Sequence, residues 1–105
     1  MKNPFEELNK TLDLSYEKML QELQKVKCLL GAEKKCIETK IEQTTQKILQ
    51  YREEVCLAIK FGDEDLTRSI LTLKQKENGR LLQLQTNYQA ISDQIKKLKI
   101  VELKF

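Results

Sequence analysis

From Phe5 to Ala58 apolar side chains return every three or four positions, with no proline in the interval and Gly31 as the single glycine. A run of that length and period is the pattern of one long helix carrying a narrow stripe, the seam of a coiled coil rather than the broad face of a globular helix. The stripe reads Phe5, Leu8, Leu12, Tyr16, Met19, Leu23, Val26 and Leu30. It resumes at Ile37, Ile41, Thr44, Ile48, Tyr51, Val55 and Ala58. Between Gly31 and Lys35 charged residues stand where the stripe should pass, which predicts a bend or a change of packing partner there. Pro4 suits a first helical turn, with Asn3 as its cap.

One break is clear. In Phe61-Gly62-Asp63-Glu64-Asp65, Gly62 can adopt the left-handed conformation that closes a helix, with Lys60 at the negative end. Asp63 is then the next N-cap, with Glu64 and Asp65 in the positive first turn. So short a link makes the two helices antiparallel neighbours. The second stripe reads Leu66, Ile70, Leu73, then Leu81, Leu84, Tyr88, Ile91, Ile95, Leu98 and Phe105. The eight-residue step from Leu73 to Leu81 predicts a stutter, and Asn78-Gly79 a weakened stretch of helix rather than a turn. The expected fold is all-α: an antiparallel two-helix coiled-coil hairpin forming a single unit over 1–105. Its helices span about 4–60 and 65–104, its turn 61–64.

At 1.5 Å per residue the helices are roughly 85 and 60 Å long. Folding at Gly62 brings Phe105 opposite about residue 20 and leaves the stripe Phe5, Leu8, Leu12, Tyr16 uncovered. A second subunit covers it, or the segment hinges near Asp13 and Ser15 and folds back as a third helix. The first reading is favoured, since a two-helix hairpin has little enclosed core of its own and an open apolar stripe marks an interface.

Composition narrows the function. With 40% hydrophobic and 33% charged residues, 3 glycines, 1 proline and no tryptophan, the chain lacks the turns of a β or α/β domain. No apolar stretch approaches the ~20 residues of a membrane span. Cys28, Cys36 and Cys56 are odd in number, form no C-x-x-C pair and have no histidine beside them. Reduced thiols acting as small hydrophobes in a cytoplasmic protein are expected. No phosphate-binding loop, zinc motif or nucleophile elbow occurs, so no enzyme, cofactor or metal is expected.

The net charge of +3 is uneven. Residues 1–62 carry eleven basic and ten acidic side chains; residues 66–105 carry eight and three, for +5. Lys96, Lys97, Lys99 and Lys104 make the end of the chain a candidate contact for an anionic surface, against the plainer reading of a solvated face. No basic region with interleaved aromatics points to nucleic acid.

The segment Ala32–Gln43 (AEKKCIETKIEQ), the aromatic Tyr51, and the run on to Leu71 (YREEVCLAIKFGDEDLTRSIL) resemble the coiled-coil hairpin of the phage-shock-protein A and IM30 family. That family keeps an A-E-K-K run, here Ala32–Lys35, an aromatic about sixteen residues on, small apolar residues such as Ala58, and a turn followed by Glu-Asp-Leu-x-Arg, here Glu64–Arg68. Asn3-Pro4 resembles the Asp-Pro that opens its first long helix. Thr67 and Ser69 stand where the family prefers alanine, and the family's amphipathic membrane-binding helix would lie ahead of Asn3. The resemblance implies an ESCRT-III-like protein of membrane stress response or maintenance. It implies a homo-oligomer, cytoplasmic and peripheral on the inner membrane, that binds a protein such as an AAA+ transcriptional activator through its hairpin. The partner tip would be Gly62, Asp63, Glu64, Asp65, Leu66 and Arg68. A small helical chaperone or adaptor that binds a client without any membrane role is the alternative.

Overall fold

A computed structural model describes residues 4–104. Among these residues there are two helices: α1, Pro4–Lys60, and α2, Glu64–Lys104. They fold back on each other into a rod of 93 × 15 × 15 Å. The α1 helix runs unbroken past Asp13, Ser15 and Gly31, so the segment at its start neither hinges nor folds back as a third helix. The α2 helix likewise continues through Asn78 and Gly79. Asn3 and Phe105, expected as a cap and as the last seam residue, lie outside the described residues.

The turn forms as its residues require. Gly62 has φ of 71°, a conformation that costs an L side chain roughly 1–2 kcal/mol. Its amide donates to the Ile59 carbonyl at 3.1 Å, and the Asp63 amide donates to the Ala58 carbonyl at 3.1 Å. This pair of bonds is the Schellman closure of α1. Asp63 then opens α2. Its Oδ1 accepts the Leu66 amide at 3.1 Å and its carbonyl accepts the Thr67 amide at 3.0 Å. One residue thus ends one helix and caps the next, and Glu64 belongs to α2 rather than to the turn.

The seam differs in phase from the stripe of apolar letters. In α1 the buried and half-buried positions, besides Gly31 and Glu54 at its flank, are Leu20, Leu23, Lys27, Leu30, Lys34, Ile37, Ile41, Thr44, Ile48, Tyr51, Val55 and Ala58. In α2, besides Ser92 at the flank, they are Thr67, Ile70, Lys74, Glu77, Leu81, Leu84, Tyr88, Ile91, Ile95, Leu98 and Glu102. Steps of three and four alternate without a fault through both helices, so these are the a and d positions of a regular heptad. The expected bend at Gly31–Lys35 and stutter at Leu73–Leu81 are therefore absent. Lys34 fills the first gap, and Lys74 and Glu77 fill the second, all three half-buried with their aliphatic stems along the seam. Met19, Val26, Leu66 and Leu73, read as seam residues, are instead exposed.

Burial is thin. Ile37, Ala58, Ile70 and Ile91 form the core, with Thr44 as its buried polar member. Polar contacts fix the register. Lys27 Nζ donates to Glu102 Oε2 at 3.2 Å. Tyr88 stacks beneath Lys34, whose Nζ lies 5.2 Å from the ring centroid, and donates its hydroxyl to Glu38 Oε1 at 3.0 Å. Such pairings at seam and flank positions penalise a one-heptad slip more than uniform apolar layers would.

Candidate functional site

Two regions can recognise a partner, one at each end of the rod. At the closed end, Glu54, Leu57, Ala58, Phe61, Asp63, Leu66 and Ile70 line an open groove of about 500 Å³. Its floor is the buried pair Ala58 and Ile70. Its walls are exposed apolar side chains, Phe61 at 83% and Leu57 at 54%. Phe61 is exposed because Gly62 reverses the chain immediately after it, leaving no further turn of α1 to lean on. Glu54 and Asp63 supply a negative rim. Of the tip residues named from sequence, Asp63 and Leu66 line this groove. Gly62, Asp63, Glu64 and Arg68 line a second shallow cleft of about 380 Å³ together with Ile59 and Thr67. The tip thus presents two surfaces: an apolar one and a polar one. Leu57 and Phe61, which carry the apolar wall, were not singled out in the sequence. Their signal was present, since neither falls on the a/d seam, but a stripe read without a partner helix does not reveal which residues are left over.

At the open end, α1 extends beyond α2. The overhang Pro4–Met19 is helical and exposed throughout, including Phe5, Leu8, Leu12 and Tyr16. Lys96, Lys97, Lys99 and Lys104 stand on nearby turns of α2 and are all exposed, beside exposed Ile100 and Leu103. They do not converge on one point, but they make this end of α2 basic.

Three carboxylates are drawn partly inward. Glu54, Glu77 and Glu102 are half-buried, and Glu77 Oε2 and Glu102 Oε1 have no hydrogen-bond partner. The three cysteines are free and exposed rather than packed. Among the described residues there is no cluster of three metal-ligating side chains. No helix there is long and apolar enough to cross a membrane.

No family model, curated protein or solved structure matches this chain.

Proposed function

We propose that this protein is a non-enzymatic helical scaffold and regulator that works through self-association and through a protein partner held at the hairpin tip. The observation that carries this reading is the exposed apolar surface at the open end of the rod and at the hairpin tip. Leu8 and Leu12 at the open end are 56% and 58% exposed, and Phe61 at the tip is 83% exposed. Exposed apolar surface of this kind marks interaction sites. The resemblance of Ala32–Leu71 to the phage-shock-protein A and IM30 hairpin supports placing this activity in membrane stress response or maintenance. The partner would then be an AAA+ transcriptional activator and the location the cytoplasmic face of the inner membrane.

The test is the native mass of the chain. Leu8→Asp combined with Leu12→Asp is expected to lower the oligomer mass while helicity by circular dichroism stays unchanged. An unchanged mass counts against self-association through the overhang. The acid-rimmed groove at Leu57, Phe61 and Leu66 favours a second reading, an adaptor that holds a helical client and has no membrane role. Co-flotation with anionic vesicles separates the two. Flotation that persists at physiological salt supports a membrane-face scaffold, and its loss supports the adaptor.

A further inference from the structure

The exposed stripe of the overhang does not continue the hairpin seam. Extended back from Leu20, the a and d positions fall on Glu6, Asn9, Asp13 and Tyr16, three of them polar or charged. The apolar residues sit one position earlier, in the g and c places of the same heptad: Phe5, Leu8, Leu12, Met19, Val26 and Leu29. This stripe crosses from the overhang onto the paired part of α1 and stays exposed to its end, with Val26 at 44% and Leu29 at 70%. It therefore lies off the seam with α2, over a length of about 36 Å.

The flank it faces is a groove between the helices. Near the tip, g and c residues of α1 (Glu54, Leu57, Phe61) line one cavity together with the g residue Leu66 of α2. At mid-rod, Lys40, Gln43 and Lys47 of the same α1 positions line another with Arg80, a g residue of α2. The register that makes both places Met19, Glu22 and Val26 beside Val101, itself 39% exposed, at the open end.

We propose that this open-end groove receives the α1 overhang of a second copy, running antiparallel, and that the exchange is mutual, giving a two-fold dimer. The proposal rests on the self-association reading above and specifies its partner, direction and surface. The stripe is self-complementary when antiparallel. Phe5 meets Leu29 of the second copy, Leu8 meets Val26, Leu12 meets Glu22 and Ser15 meets Met19, which is the alternation of layers an antiparallel coiled coil uses. A parallel pairing would set Glu22 against Glu22, a like-charge contact. Charge favours the same arrangement. Residues 4–19 hold Glu6, Glu7, Asp13 and Glu17 against Lys10 and Lys18, for −2; residues 94–104 hold four lysines against Glu102, for +3. Antiparallel docking lays the acidic overhang along the basic end of the other copy's α2, within the roughly 8 Å over which charges act at physiological salt.

Sedimentation equilibrium of the full chain tests this with two single variants and a control. Leu8→Asp in the overhang and Val101→Asp in α2 should each weaken dimerisation at least tenfold. Leu103→Asp, 87% exposed on the outer face of α2, should leave it unchanged. An assembly whose mass ignores both Leu8→Asp and Val101→Asp keeps self-association and overturns the groove. Sensitivity to Leu8→Asp alone overturns it as well, because the overhangs then pair without α2. A chain that is monomeric at every concentration overturns both readings, and vesicle binding by that monomer would assign the stripe to lipid instead. Direction is tested by cross-linking in a background with Cys28, Cys36 and Cys56 replaced by serine. When Leu8→Cys and Val26→Cys chains are mixed, the Leu8–Val26 mixed disulfide should predominate. A predominant Leu8–Leu8 disulfide overturns the antiparallel arrangement.

Discussion

The first sixteen described residues of α1 and the forty-one that follow belong to one helix and share one heptad period, yet they present that period differently. From Leu20 onward the a and d places pack against α2 even where they are lysine. Before Leu20 three of the four a and d places are polar or charged, and Phe5, Leu8, Leu12 and Met19 lie one position back from that seam. The difference shows that a helix can keep a constant period while changing which face is meant for a neighbour. The paired part is held by its own chain, whereas the overhang leaves its apolar residues exposed.

The largest test of that contrast is truncation at equivalent depth of sequence but opposite role. Ile37→Ala, at a buried seam position, should cost about 2–5 kcal/mol in urea unfolding at low protein concentration. Leu12→Ala in the overhang should change the same measurement by less than about 0.5 kcal/mol. Comparable losses would mean that the overhang packs within the hairpin.

A smaller effect separates what the seam tolerates from what it needs. Glu77 occupies a d place with one carboxylate oxygen buried and unpartnered. Glu77→Leu should raise unfolding free energy by about 1–3 kcal/mol, since the cost of burying that oxygen is removed. Tyr88 and Glu38 meet in register-specific contact, so pairing should remain in place in this variant. A loss of stability would show that Glu77 is held by contacts its burial does not reveal.

The smallest effects compare two glycines. Gly62→Ala places a side chain at φ of 71° and should destabilise by about 1–2 kcal/mol. Gly79→Ala adds a methyl to open space in mid-helix and should stabilise by about 1 kcal/mol. Thermal melts with shifts of opposite sign are the expected outcome, and two shifts of the same sign would break the distinction between turn and helix.

Much of the fold was legible in the chain. The absence of breakers between Phe5 and Lys60, the Gly62-Asp63 junction and the length of each helix sufficed to give a hairpin with its tip at the right residues. The phase of the seam was not legible at Lys34, Lys74 and Glu77. A reading that follows apolar letters steps around these residues, and so reported a bend and a stutter that the helices do not have. It also took Met19, Val26, Leu66 and Leu73 for seam residues. Those four are apolar and near the seam, but they flank it.

For the site, the sequence reading located the tip and the exposed overhang but missed the apolar wall of Leu57 and Phe61. Such a wall exists only after α2 has claimed Ala58 and Ile70 as its floor. Sequence alone determined that this chain is helical, where it reverses and that it carries more apolar surface than two helices can hide, because period, breakers and caps are local properties. The tertiary structure alone decided which residues share the seam and which are left to meet something else. That choice depends on how α2 lies against α1, and long charged side chains with apolar stems can fill a seam as readily as they can face water.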